Sequence, residues 1–256
     1  MSEPSPVLVE QIDGVQVITI NRPEARNSIN TVTAEAIGAA MDELDARSDL
    51  TAGVITGAGG TFCAGMDLKA FLAGEKPSIP VRGFAGIVEK PSDKPLIAAV
   101  EGYALAGGFE IALACDIIVA ANNAKFGLPE VKRGLVAAGG GLMRLPQRVP
   151  YHLAMEWALT GDMVEAEQAY RASLVTHLTD PGQAREAALD IARRIAANGP
   201  LAVRATKQII VQSPDWSLDE SFDKQREISL PVRDSEDAKE GARAFTEKRS
   251  PNWQGR

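Results

Sequence analysis

Histidine and cysteine are almost missing from this chain of 256 residues, which has two of each. Cys63 and Cys115 are too few to frame a protein of this size with disulfides, so they read as small semi-buried thiols in a reducing compartment. His152 and His177 stand far apart, and neither has a second His or Cys at ligand spacing. That argues against a metal site or a histidine-based triad and leaves both as surface or interface residues. An excess of cations is also lacking. The 27 Lys and Arg are outnumbered by 34 Asp and Glu, for a net charge of −7. No diffuse basic field is available to attract nucleic acid or an anionic membrane. An anionic ligand would have to meet a local cluster of Lys and Arg.

No uncharged run reaches membrane-spanning length, and the start MSEPSPVLVEQ lacks the basic and then apolar build of a signal peptide. The chain therefore reads as a complete cytoplasmic protein. Walker-type lysine and nucleophile-elbow patterns are absent, which removes sequence support for P-loop and serine-hydrolase chemistry. The loop Gly57-Ala58-Gly59-Gly60-Thr61-Phe62 follows a strand but carries Phe62 where close helix packing in a dinucleotide fold needs a small residue.

What is present is a large apolar fraction, 45%, enough for one main domain with a sizeable core. Val7 to Val9 and Val15 to Ile20 are β-branched runs joined by Asp13-Gly14, which predicts a hairpin. Ala34, Ile37, Met41 and Leu44 recur at helical spacing over Thr33 to Leu44, and Gly53 to Thr56 reads as the next strand. Leu96 to Val100 and Ile117 to Ala121 read as buried strands, with Gly107-Gly108 opening an apolar segment between them. Beyond residue 150 the pattern is almost entirely helical, over Glu165 to Tyr170, Gln183 to Ala197, Leu201 to Val211 and Ser235 to Arg249. Leu174 to His177 is the one late strand expected. The order of elements predicts an α/β fold.

Two glutamates stand out because each sits in apolar, glycine-rich sequence. Glu110 lies in Gly107-Gly108-Phe109-Glu110-Ile111-Ala112-Leu113 and Glu130 in Phe126-Gly127-Leu128-Pro129-Glu130-Val131. Taken singly, each is also an ordinary first-turn acid favoured by a helix dipole. Taken as a pair in a desolvated cleft, they would have raised pKa values and could exchange protons near neutral pH. Gly65-Met66-Asp67 and Gly107 supply backbone N–H groups that would form an oxyanion hole if they converged. Otherwise they are two tight glycine turns.

Asn21-Arg22-Pro23, Phe62-Cys63-Ala64-Gly65-Met66-Asp67-Leu68, Lys94 to Val100, Gly107 to Asp116, Phe126 to Leu135, Gly139-Gly140-Gly141 with Arg144-Leu145, and Ala244 to Arg249 resemble, in order, the blocks of the crotonase superfamily. The resemblance covers essentially the whole chain. It implies a crotonase-type spiral core of ββα turns over 1–195, and a C-terminal helical region over 196–256 that packs subunits into trimers, usually paired as hexamers. It implies enoyl-CoA hydratase activity, with Glu110 and Glu130 at the two catalytic positions and the thioester oxygen held by the N–H groups of Met66 and Gly107. Arg26, Lys69 and Lys248 are the cations implied for the CoA phosphates, with Ala64, Gly65, Asp67, Leu68 and Phe245 also on the CoA. Lys248 and Phe245 would reach the site of a neighbouring subunit. Apart from the coenzyme A of the substrate, neither a cofactor nor a metal is implied.

The sequence departs from the family pattern at Ala106, at Ala137-Ala138 and at Leu142-Met143, all expected near the acyl pocket. The segment from Phe71 to Pro91 is expected to line the acyl tail. Gly83-Phe84-Ala85-Gly86, Gly108-Phe109-Glu110 and Trp253-Gln254-Gly255-Arg256 resemble carnitinyl-CoA dehydratases within the superfamily. Two other readings stay open, an enoyl-CoA isomerase with one dominant proton shuttle and a non-catalytic acyl-CoA-binding protein.

Overall fold

In the computed structural model, which describes residues 5–256, Asp13 and Gly14 both adopt positive φ. They join β1 (Val7–Ile12) to β2 (Val15–Ile20) in the predicted antiparallel hairpin. Residues 1–4, with which the start MSEPSPVLVEQ and the expected core 1–195 begin, lie outside the described residues. The chain continues through α1 (Thr31–Ala46), whose first turn is capped by the Asn30 side chain, β3 (Ala52–Gly57), α2 (Leu68–Leu72), β4 (Ser78–Ile79) and β5 (Gly83–Phe84). Then come β6 (Leu96–Val100), β7 (Tyr103–Leu105), α3 (Gly107–Ala114), β8 (Ile117–Ala121), β9 (Lys125–Gly127) and a 3-10 turn over Pro129–Arg133. The remainder holds α4 (Gly141–Arg148), α5 (Tyr151–Thr160), β10 (Val164–Glu165), α6 (Ala166–Arg171), β11 (His177–Thr179), α7 (Ala184–Ala196), α8 (Pro200–Gln212), α9 (Leu218–Arg233) and α10 (Glu236–Glu247).

The large sheet runs β1-β2-β3-β6-β8-β11 and is parallel throughout except for the first hairpin. The pleat sends alternate side chains to opposite faces, and both faces are covered. Val15, Val17, Val54, Ile97, Ala99 and Val119 pack under α7 against Ala184, Ala188, Leu189 and Ala192. Ile18, Ile20, Ile55, Ala98, Val100 and Ile118 face the main core, which contains Phe109 and Phe126 with ring centroids 5.4 Å apart. Double coverage explains why Leu96 to Val100 reads as an unbroken apolar run.

One arrangement recurs along the core. A strand of the large sheet is followed by a short extended piece on a second layer, and then by a helix or helical turn. The extended pieces are residues 62–64, β7 and β9. β7 pairs in parallel with β9, and Cys63 bridges to Ala104. The three pieces therefore lie side by side, and each delivers the residue that follows it to the same rim: Met66, Gly107 and Glu130.

The late strand forms at His177–Thr179, not at Leu174 to His177. Leu174 and Val175 are buried side chains leaving α6, and the parallel pairing with β8 begins only at His177 opposite Val119. Beyond residue 196 the chain forms a thin helical layer. No residue of α8 or α9 is buried. The layer is held to the core by Lys207 Nζ, which donates to Ser92 O, Lys94 O and Asp116 Oδ2 at 2.7–2.9 Å, and by Trp253 Nε1, which donates to Ala197 O at 2.9 Å. Among the described residues no helix is long and apolar enough to cross a membrane.

Candidate active site

The two glycine turns converge. Gly65 has φ +98°, and a Cβ there would stand 3.2 Å from the backbone nitrogen of Gly107. The register explains the meeting, because Leu105 N–H donates to Cys63 O at 3.0 Å and Cys63 N–H to Tyr103 O at 2.9 Å. Both chains then leave their paired stretch at the same level. Neither Met66 N–H nor Gly107 N–H donates to an acceptor among the described residues, and both residues line one cleft. Gly107 is the first residue of α3, so its N–H also carries the positive end of the helix dipole. Ala106 caps this helix at φ 52°, ψ −130°, a region that glycine occupies freely and alanine only under strain.

Glu110 and Glu130 enter the same cleft. Glu110 is 4% exposed and accepts the Gly141 N–H at 2.9 Å through Oε1. Burial raises its carboxyl above the ordinary carboxylate value, and the Gly141 and Gly139 N–H groups and the nearby Arg144 charge offset this only in part. Glu130 sits in the first turn after β9. Burial raises its carboxyl as well, its own backbone N–H works the other way, and the charge of Glu110 adds to the rise. Its Oε2 is buried without a hydrogen-bond partner among the described residues. An unpartnered buried carboxyl oxygen costs stability, and such groups concentrate at functional sites.

The cleft measures about 1220 Å³. Arg26, Ala64, Met66, Asp67, Leu68, Lys69, Gly107, Glu110 and Glu130 all line it, whereas Gly65 lies beneath its surface. Asp67 is committed structurally. Its Oδ1 caps α2 by accepting from Lys69 and Ala70, and its Oδ2 pairs with Arg22 at 2.9 Å. Burial works to raise its carboxyl, but the Arg22 hydrogen bond and the Ala70 N–H outweigh it and hold the group below the ordinary value. Phe245 and Lys248 do not reach this cleft; they sit at the end of α10, where Phe245 is 85% exposed.

Two expectations about the departures need correction. Ala106 and Ala138 line the cleft, but Leu142 and Met143 point to solvent from the outer face of α4, and Ala137 is buried behind the wall. The Gly57 to Phe62 loop is closed, because Asn27 Nδ2 donates to Ala58 O and Thr61 O and Phe62 is buried. Both cysteines are free and buried, and both histidines are exposed. Val88 lines the cleft from within the segment expected to do so, whereas sequence reasoning gave no site role to Arg22 and Arg133, which also line it, or to Arg144. Arg144 Nη2 donates to Val88 O at 2.6 Å and its Nη1 to Gly139 O at 3.4 Å, so one side chain ties two walls together.

The wall formed by Phe71, Ser78, Phe84, Val88 and Glu89 comes from the segment expected to line the acyl tail. It is fastened to α1. Arg82 is buried and donates through Nε and Nη2 to Asp42 Oδ1, with Asp45 close by. Gly86 has φ +69° and rests on the α1 backbone, where a Cβ would fall 2.3 Å from Ala34 O.

Two free N–H groups share a cleft at the rim of a spiral of strand pairs with one buried and one half-buried carboxyl, and the chain belongs to the enoyl-CoA hydratase/isomerase family of acyl-thioester enzymes, whose profile matches residues 10–256. It is 43% identical to the enoyl-CoA hydratase EchA19 of Mycobacterium tuberculosis over 97% of this chain and 96% of that protein. It is 42% identical to the carnitinyl-CoA dehydratase of Salmonella arizonae over 93% of this chain and 94% of that one. The crystal structure of the enoyl-CoA hydratase EchA1 from Mycobacterium marinum superposes with a TM-score of 0.97 at 58% identity, covering 99% of this chain and all of that one.

Proposed function

We propose that this protein is an enoyl-CoA hydratase that adds water reversibly across the C2–C3 double bond of a trans-2-enoyl-CoA. The observation that carries the reading is the convergence of a buried carboxyl, a half-buried one and two unused N–H donors on one cleft. In this reading the N–H groups of Met66 and Gly107 hold the thioester oxygen, and Glu110 accepts a hydrogen bond from a water. As the water oxygen bonds to C3 its proton passes to Glu110, and the π electrons move toward the thioester oxygen to give an enolate. Glu130 delivers a proton to C2, the enolate collapses, and proton exchange between the carboxyls resets the pair.

Mutual repulsion favours a pair that shares one proton. The partnerless Oε2 and the repulsion from Glu110 support Glu130 as its holder. One oxyanion donor contributes roughly 10²–10³ in rate and an acid or base roughly 10²–10⁴, so the site needs both.

Arg26 and Lys69 on the cleft rim hold the CoA phosphates in this proposal, with Ala64, Gly65, Asp67 and Leu68 shaping the entry. Lys248 and Phe245 serve the cleft of a neighbouring copy in a homotrimer or a hexamer of paired trimers. The exposed apolar side chains of the helical region 196–256, Leu218, Phe222 and Phe245 among them, support that region as the assembly surface. The cytoplasm suits a CoA-dependent enzyme, and the reading calls for no cofactor beyond the coenzyme A of the substrate.

The test follows loss of the conjugated enoyl-thioester absorbance with crotonyl-CoA, a longer enoyl-CoA and crotonobetainyl-CoA in parallel. Turnover of either of the first two supports the hydratase. Turnover of crotonobetainyl-CoA alone would move the reading to carnitinyl-CoA dehydratase. Binding of all three without turnover would overturn it in favour of an isomerase or an acyl-CoA-binding protein.

A further inference from the structure

The ring of Phe84 occupies the space that a side chain at position 107 would fill. A Cβ on Gly107 would stand 2.4 Å from Phe84 Cε1 and 2.5 Å from Cζ, far inside ordinary carbon–carbon contact. The ring thus rests on the residue that supplies one of the two N–H donors, and it faces the cleft. It is also held from both sides. Ahead of it, Arg82 is fastened to Asp42. Behind it, Gly86 rests on the backbone of α1 and Arg144 grips Val88 O. Ala85 N–H donates to Pro77 O at 2.9 Å and Glu89 N–H to Arg82 O at 3.0 Å, closing the segment on itself.

We propose that Phe84 is a specificity-determining residue that excludes acyl groups branched at C2. The proposal rests on the acyl-CoA reading above. A thioester oxygen on Gly107 N–H lies about 2.7–3.1 Å from that nitrogen, so the carbonyl carbon and C2 follow one and two bonds further. The ring stands against the same residue, which makes the first acyl carbons, and not the tail, its neighbours. A methyl group on C2 competes with the ring for volume, and a wall fastened to α1 and α4 cannot retreat as a loose loop would. A fitted pocket distinguishes one methylene by roughly 10- to 200-fold.

The experiment is calorimetric binding of two isomeric saturated thioesters, pentanoyl-CoA and 2-methylbutyryl-CoA, to the wild type, Phe84→Ala and Phe84→Leu. The isomers carry equal numbers of carbons, so any preference reports shape. The wild type is expected to bind the linear isomer at least about tenfold more tightly, Phe84→Ala to narrow the gap to less than about threefold, and Phe84→Leu to fall between. Equal binding of both isomers by the wild type would overturn the proposal. So would an undiminished preference in Phe84→Leu, or in Phe84→Ala where that variant keeps the wild-type circular dichroism. Neither ligand requires turnover, so the two readings fail separately. A wild type inactive on enoyl-CoA that still shows the preference, with the preference lost in the variants, removes the hydratase and keeps the role of Phe84.

Discussion

The backbone N–H of Gly141 donates to Oε1 of Glu110 at 2.9 Å, joining the start of α4 to the first turn of α3. The second carboxyl oxygen faces Gly139, where a Cβ would fall 2.6 Å from Oε2. The carboxyl is therefore aimed by one hydrogen bond and by the missing side chain of a glycine.

Gly139→Ala is expected to push the Glu110 carboxyl off line without unfolding the protein, because Gly139 does not have positive φ. A displacement near 1 Å costs on the order of 10²-fold in rate. Steady-state kinetics should show the loss in kcat with KM changed little. An unaltered kcat would show that the carboxyl tolerates the shift.

Glu110→Gln and Glu130→Gln keep shape and remove proton transfer. Each is expected to lower kcat roughly 10²- to 10⁴-fold while saturated acyl-CoA binding by calorimetry stays near the wild-type value. The double variant should lose little more than the worse single one, since groups acting as a unit are not additive. Near-normal turnover in either single variant would remove that residue from the mechanism.

Burial raises the Glu130 carboxyl above its ordinary 4.5. The folded protein therefore holds that proton at pH values where the unfolded chain has released it, and stability falls as pH rises from the ordinary value through the raised one. Glutamine cannot ionise. Glu130→Gln is expected to melt above the wild type at about pH 8 and to match it at about pH 4. Thermal melts across that range check it, and a difference independent of pH would assign the effect to something other than ionisation.

Ala106 holds φ 52°, ψ −130°, a region open to glycine at little cost. Ala106→Gly should release strain of about 1–3 kcal/mol, partly offset by about 0.4–1 kcal/mol from the freer unfolded chain. A rise in melting temperature of roughly 2–4 °C per kcal/mol gained is the expected result. A fall would mean that the turn accommodates a Cβ without strain.

The elements legible in the sequence were those with length or periodicity. Leu96 to Val100 and Ile117 to Ala121 form strands with the predicted bounds, the Asp13-Gly14 turn forms as read, and α1 contains the expected Thr33 to Leu44 and runs two residues past each end. The three-residue strands β7 and β9 escaped because Tyr103–Leu105 and Lys125–Gly127 are too short to show a period, and their pairing is set by distant partners. Helix α9 escaped because it carries Pro231 within its last turn and because Leu218, Phe222 and Leu230 are exposed, so no buried stripe marks it.

In the site, a carboxylate in an apolar run pointed to Glu110, and glycine turns pointed to Met66 and Gly107. Phe84 and Arg144 stood inside motifs that the sequence offered, but their contacts did not show there, because the partners lie 23 positions and more away in the chain: Gly107 for the first, and Val88 for the second.

The clasp between Arg82 and Asp42 gives the cleft wall an address on the outside of the protein. Asp42 is a largely exposed residue of α1, yet it holds the segment that carries Phe84. Natural variation at a solvent-facing helix position can therefore retune which thioesters are admitted, leaving both glutamates and both donors untouched. Substrate range in this chain can drift by changes that an inspection of the cleft lining alone would pass over.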